Sequence, residues 1–179
     1  MRADARRNRE RILAAALELF AEREPCVPME DIARAAGVGV GTLYRHFPDR
    51  AELVEEIGAD ALRGLNAFVR ERSAGDAPRW EVLRRVVEYC AGRPFALIKK
   101  LAEDGGTGRP ERRALQRECG ALLAGLVADA QREGTLRRDV TPSEVVDLLG
   151  VVVCRPGARA DDPLTTVMMD GLRARTPHG

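Results

Sequence analysis

The stretch from Ala33 to Phe47, Ala-Arg-Ala-Ala-Gly-Val-Gly-Val-Gly-Thr-Leu-Tyr-Arg-His-Phe, admits few structures. Upstream of it, Met29, Ile32 and Ala33 repeat at i, i+3, i+4, the spacing of one helix face, so a short helix is predicted from Met29 to Ala36. Gly37 stands where that helix must stop, because glycine takes the left-handed residue of a helix end without steric cost. Val38 plugs the corner. A second short helix starts near Val40 and carries Leu43 and Phe47 inward at i, i+4. The two helices must pack closely, and Ala33, Ala36 and Gly37 are small enough to let them. This is a helix-turn-helix pattern.

The outer face of the second helix carries Val40, Gly41, Thr42, Tyr44, Arg45 and His46. Thr42 and Tyr44 offer hydroxyls, and Arg45 and His46 offer donors. Gly39 and Gly41 remove side-chain bulk, so backbone N–H groups at the helix start can approach an anion. A helix that reads DNA needs these features: N-terminal residues at base edges, flanked by groups for phosphate. An ordinary helical hairpin with a polar face has the same spacing, and the spacing alone does not separate the two.

Gly41-Thr-Leu-Tyr-Arg-His-Phe47, followed by Pro48-Asp-Arg-Ala-Glu-Leu53, resembles the signature of the TetR family of transcriptional regulators. Asp31-Ile-Ala33 and Ala36-Gly-Val38 are similar to the same signature. The resemblance covers roughly residues 8 to 57 and is specific. It implies an all-α protein with a three-helix DNA-binding domain and a helical ligand-binding and dimerisation domain. The chain departs from the family just before the second helix. A Ser or Thr usually caps that helix and touches phosphate, but here the residues are Val27-Pro28. Pro28 suits the first helical position, yet the capping hydroxyl is missing. Arg50 stands where the family usually has a lysine near DNA phosphate, so the charge is kept.

A length of 179 residues suits one or two small domains, and 45% hydrophobic content is ample for a core. No apolar run reaches membrane-spanning length, and the charged start leads straight into an amphipathic helix, so the expectation is a cytoplasmic chain with no membrane partner. Net charge is +1, so any basic footprint for nucleic acid must be local. Such a footprint is present at the start. Residues 1 to 11 hold Arg2, Arg6, Arg7, Arg9 and Arg11 against Asp4 and Glu10, a local charge of +3. This arm reads equally as a phosphate contact beside the recognition helix or as a solvated, fraying terminus. The cysteines Cys26, Cys90, Cys119 and Cys154 are far apart in sequence, and with His46 and His178 they give no metal-ligand spacing. No metal or other cofactor is expected. Cys90, Cys119 and Cys154 read as small buried hydrophobes, and Cys26 as a loop residue.

About nine helices are predicted. The first, Arg7 to Arg23, lines one face with Ile12, Ala16, Leu19 and Phe20. Asp49 caps a long helix to about Arg72, with Glu52 completing a capping-box-like pair. At ~1.5 Å per residue that helix is ~35 Å long, enough to join residues 1–48, the DNA-binding domain, to the remainder of 49–179. Asp76 to Pro78 start a helix carrying Trp80, Leu83, Val86, Val87 and Cys90, which Pro94 interrupts. Phe95 to Glu103 follow, and the Gly-rich Asp104 to Arg109 reads as a plain connection. Pro110 to about Glu133 is a helix ended by Gly134. Thr141-Pro-Ser-Glu144 is a capping box opening a helix that is apolar almost all round as far as Cys154. Pro163 to about Arg175 form the last helix.

The last two helices are too apolar for one small monomer. They predict a homodimer interface of Val145, Leu148, Leu149, Val152, Leu164, Val167, Met168 and Leu172, in agreement with the paired terminal helices that the family resemblance implies; the alternative is that both helices close the monomer core. A two-fold dimer would set two recognition helices ~34 Å apart on a palindromic double-stranded DNA operator. Tyr44, His46, Arg6, Arg7 and Arg50 are expected on phosphate. Val40, Thr42 and Arg45 are expected on bases, with Gly41 allowing close approach. Trp80, Tyr89, Cys90, Phe95, Ile98, Leu101, Leu122 and Leu126 are candidates to line a cavity for a small, mostly apolar effector, and each also reads as core. Two other classes compete with a ligand-responsive repressor. One is a ligand-binding protein whose DNA binding has decayed. The other is a small helical enzyme, for which no nucleophile–base or paired-carboxylate set stands on one face.

Overall fold

The computed structural model describes residues 2–23, 27–91, 93–104 and 108–174. These residues form nine helices and no β-strand: α1 (Arg2–Arg23), α2 (Met29–Ala35), α3 (Val40–His46), α4 (Arg50–Ser73), α5 (Arg79–Ala91), α6 (Phe95–Asp104), α7 (Pro110–Arg132), α8 (Pro142–Val153) and α9 (Pro163–Leu172). The architecture is all-α, as the periodicity predicts. Cys26, Arg175 and His178 lie outside the described residues.

Local chemistry sets most helix ends. Asp49 caps α4 by accepting from the Glu52 backbone N–H at 2.8 Å. Thr141 and Glu144 form a reciprocal capping box at the start of α8, and Asp162 caps α9 by accepting from the Thr165 N–H at 2.9 Å. At Gly37, φ is +61°. The Gly37 N–H donates to the Arg34 carbonyl and the Val38 N–H to the Ala33 carbonyl, so α2 ends in a Schellman motif. Gly134, at φ +75°, ends α7 in the same way.

Two hydrophobic clusters form the core. In the first, Ile12 and Phe20 of α1 meet Ile32 of α2 with Leu43 and Phe47 at α3. It extends past residue 48 to take in Leu53, Val54 and Ile57 of α4 and Leu101 of α6. The second gathers Leu83, Val127, Val145 and Leu172 from α5, α7, α8 and α9 around Leu65 and Val69 of α4. The long helix α4 therefore belongs to both. It packs against α1, α5, α6 and, most extensively, α7.

Charge reinforces the α4–α7 seam. Arg112 and Glu55 form an ion pair at 3.0 Å, each side chain only 14% exposed. A Cβ at Gly58 would lie 2.9 Å from Arg112 Cδ, and one at Gly108 would overlap its guanidinium, so two glycines make room for this arginine. Desolvation pushes the Glu55 carboxyl up, but Arg112 and Arg109 together outweigh it and its pKa falls below the ordinary value. Further along, Arg63 bonds Glu111 and Asn66 bonds Glu118.

Several expectations change. Helix α1 begins at Arg2, five residues earlier than the apolar spacing indicates, and Arg7 with Asp4 and Arg6 with Glu10 form i, i+3 and i, i+4 pairs that support its first turns. The arm is thus helix rather than a fraying end. Pro28 is the N-cap of α2, not its first helical residue, and no side chain caps that helix. Glu52 turns from its expected cap partner to Arg109. The last helix stops at Leu172, because the Arg137 N–H donates to the Leu172 carbonyl and the Ala174 N–H to the Thr135 carbonyl, drawing Arg173 into a bridge with Leu136. Helix α8 is not covered all round: Leu148 is 45% and Val151 69% exposed.

Candidate functional site

The helix-turn-helix presents the face that its spacing predicts. Leu43 is fully buried, while Val40 and Tyr44 are 41% and 40% exposed. Gly41 and Arg45 are also exposed, and Thr42 and His46 are half-buried. The Arg45 guanidinium lies along its own helix, donating to the Gly41 carbonyl at 3.2 Å and to Thr42 Oγ1 at 3.0 Å. These weak, solvent-exposed bonds hold the side chain at the α3 surface, where a base edge can replace them. The Tyr44 hydroxyl donates to Glu30 of α2 at 3.2 Å. Partial desolvation and the Glu30 carboxylate both raise its pKa, so it stays a protonated donor.

Arginines lock this unit to α1 and α4. Arg11 donates to the Gly37 carbonyl at 3.0 Å, bracing the turn. Arg9 reaches Glu56 of α4 at 2.6 Å and lies over the Phe47 ring at 5.1 Å. Arg50 is half-buried: its guanidinium lies 4.3 Å from the Phe20 ring centroid and donates to the Val27 carbonyl at 3.0 Å. Arg6 and Arg7 are exposed on α1. The sequence signal for Arg9 and Arg11 was their place in the basic arm. Their structural partners are set by packing and were not legible there.

A cavity of about 340 Å³ lies where α1 and α4 meet the α5–α6 turn. Leu13 and Leu17 wall one side, Ile57 and Ala61 another, and Tyr89, Phe95 and Ile98 complete it. Three of the expected effector residues, Tyr89, Phe95 and Ile98, thus come together. The other five lie elsewhere. Trp80 and Cys90 are in the second core, with Arg173 lying 5.3 Å from the Trp80 ring. Leu101 is in the first core. Leu122 and Leu126 line a shallow groove between α4 and α7. Burial pushes the Cys90 thiol up to about 12 and Cys119 to about 11, which leaves neither as a reactive thiolate at neutral pH. Among the described residues no group of three or more His, Cys, Asp or Glu is placed to hold a metal ion.

Two family models match the chain. Residues 12–57 match bacterial regulatory proteins of the tetR family, and residues 79–174 match the C-terminal domain of SbtR-like transcriptional regulators. The chain belongs to the TetR family. A TetR transcription regulatory protein from Mycobacterium vanbaalenii has the same architecture at 33% identity, with a TM-score of 0.75 over 96% of this chain and 98% of that one. The transcriptional repressor LfrR of Mycolicibacterium smegmatis is 37% identical over 82 residues, 46% of this chain and 43% of that protein. Curated relatives of this kind are thus matched over less than half of their own length. FadR of Thermus thermophilus, solved in complex with lauroyl-CoA, shares 27% identity and a TM-score of 0.54 over 91% of this chain and 90% of its own.

This TetR-family regulator carries its DNA-binding helix-turn-helix on α2 and α3, and its neighbouring helices α8 and α9 each leave large apolar side chains exposed. Leu148 and Val151, three residues apart on α8, are exposed, and so are Leu164 and Val167, three residues apart on α9, at 51% and 69%. The residues expected at a dimer interface divide accordingly. Leu148, Leu164 and Val167 are exposed and Met168 half-buried, while Val145, Leu149, Val152 and Leu172 are buried within the protomer. Val151, three residues from Leu148, joins the exposed set. Sequence spacing missed it because α8 is apolar on both faces. No helix among the described residues is long and apolar enough to cross a membrane.

Proposed function

We propose that the protein is a repressor that binds a palindromic operator as a homodimer and leaves it when a small, mostly apolar effector occupies the sensor half. Residues 1–48 serve as the DNA-binding unit and 49–179 as the sensing and dimerising unit, with α4 connecting them, and the regulator works in the cytoplasm. The observation that carries this reading is the exposed apolar face of Leu148, Val151, Leu164 and Val167. Large aliphatic side chains left exposed on two neighbouring helices are costly to leave in water, and a self-complementary contact through them gives the two-fold symmetry that half-sites ~34 Å apart require.

In the complex, Arg45, Thr42 and Val40 read base edges, with Gly41 letting the α3 backbone approach. Tyr44, His46, Arg6 and Arg7 position on phosphate. Arg50 acts chiefly by fixing α4 against α1. LfrR's description as a repressor and the lauroyl-CoA bound to FadR support repression and ligand response in this chain. An effector that favours one spacing of the two recognition helices by ~1–3 kcal/mol changes DNA affinity ~5- to 150-fold. The test is selection of duplexes from a random library, followed by measurement of the complex mass. A palindromic consensus bound by two protomers is expected. An asymmetric consensus bound by one protomer contradicts the reading.

A further inference from the structure

The cavity between α1, α4 and the α5–α6 turn has a chemistry that narrows its occupant. Its floor is apolar, but Glu10 of α1 and Asp60 of α4 stand in its wall with Arg93 as the basic group. Glu10 pairs with Arg6 at 3.5 Å and Asp60 with Arg63 at 3.6 Å, all on exposed side chains, so both pairs are weak and easily exchanged. Tyr89 is the aromatic wall. Phe68 stacks on its ring at 4.2 Å and 27°. The Arg93 guanidinium lies 3.4 Å from the same ring centroid and donates to the Tyr89 carbonyl at 3.1 Å. The protein therefore already lays a flat cation on Tyr89. That cation is an exposed side chain, held by contacts that water can replace.

We propose that this cavity is the effector site and that it takes a small planar aromatic cation, which displaces the Arg93 guanidinium from the Tyr89 face and sets its charge towards Glu10 and Asp60. The assignment rests on the ligand-response reading above and narrows its mostly apolar effector to an aromatic body that carries one positive charge. A volume of 340 Å³ sits near the lower end of the ~300–1,000 Å³ range of small-molecule pockets, which favours a two-ring system. Attraction of a cation to a ring face strengthens as both are desolvated, and the walls Leu17, Ile57 and Phe95 supply that environment. The occupant touches α1 and α4 at once, so it acts directly on the joint between the two cores.

The test uses the full chain without DNA and three probes of similar size: N-methylquinolinium, neutral quinoline and naphthalene-1-sulfonate, each titrated by calorimetry at pH 7.5. The cation is expected to bind at least about tenfold more tightly than either other probe. Ala14→Trp, at an exposed position in the wall, is expected to abolish binding, and Ala121→Trp in the α4–α7 groove to leave it unchanged. The paired surface changes Glu10→Gln and Asp60→Asn, which spare the core, are expected to erase the preference for the cation. Equal affinity for the three probes overturns the proposal. So does wild-type cation binding in Ala14→Trp or in the double variant. Release of the selected operator is measured separately. Binding of the cation without release leaves the site assigned and overturns the ligand-release reading, whereas release by another compound with no cation binding overturns the site alone.

Discussion

The Arg50 guanidinium lies 4.3 Å from the centre of the Phe20 ring and donates to the Val27 carbonyl at 3.0 Å. A residue that sequence resemblance places on DNA phosphate thus stitches α4 to α1 and to the entry of α2. A cation–π contact contributes ~0.5–2 kcal/mol and a charged hydrogen bond ~1.5–3 kcal/mol before non-additivity. Arg50→Ala is expected to lower stability by about 1–3 kcal/mol in urea titrations, with Arg50→Lys recovering part of it. An alanine variant of wild-type stability but weakened DNA binding would return Arg50 to the phosphate role.

Arg45 has the opposite character. It is exposed and bonded only to its own helix. Arg45→Ala is expected to leave stability within about 0.5 kcal/mol. It should also reduce discrimination between the selected operator and single-base variants by about 1–3 kcal/mol. A uniform loss across operator and random duplexes in a shift assay would mean that Arg45 holds phosphate instead.

The proposed dimer contact and the protomer core draw on different residues of α8. Val151→Asp with Val167→Asp changes exposed positions only. The pair is expected to yield a folded monomer by sedimentation, with helical circular dichroism retained, because two charges enter a face that would otherwise be buried. Val145→Ala, at a fully buried position, is expected to cost roughly 1–3 kcal/mol of stability by leaving a cavity. A double variant that still sediments as a dimer would place the interface elsewhere.

Gly37, Asp49 and the Thr141–Glu144 box were legible because each feature lies within a few residues of chain and has one geometric solution. The nine helices were legible from periodicity, and the recognition face from the inward pull of Leu43 and Phe47. Val151 was not, because an all-apolar helix has no spacing that distinguishes the side buried against α5 and α7 from the side left open. Neither were the partners of Arg9, Arg11 and Arg50. A basic arm looks the same in sequence whether its guanidinium groups meet phosphate, a carboxylate or a phenyl ring. Tyr89, Phe95 and Ile98 meet Leu13 and Leu17 only because α1 folds back beside the α5–α6 turn.

The Glu55–Arg112 pair makes the α4–α7 seam sensitive to acid. The folded pKa of Glu55 is depressed, so its contribution is complete above the ordinary carboxylate range and is lost as pH falls through the lowered folded value. Stability is therefore expected to fall more steeply on acidification in wild type than in Glu55→Gln. At neutral pH, Arg112→Ala leaves Glu55, 14% exposed, with only the Arg109 N–H and charge to hold it and is expected to cost about 1–3 kcal/mol. Parallel pH profiles of thermal unfolding for wild type and Glu55→Gln would remove Glu55 from this role.

DNA binding is the property on which every proposed role of α3 depends. The most direct measurement is binding of the purified protein to duplex DNA from just upstream of its own gene, against random duplex, over a salt series. The expected result is a specific complex whose affinity falls steeply with salt, log K changing by about 0.9 per phosphate contact for each decade of salt, with random DNA bound more weakly throughout. No binding to either duplex at low salt, from a protein that is folded and dimeric, would contradict it.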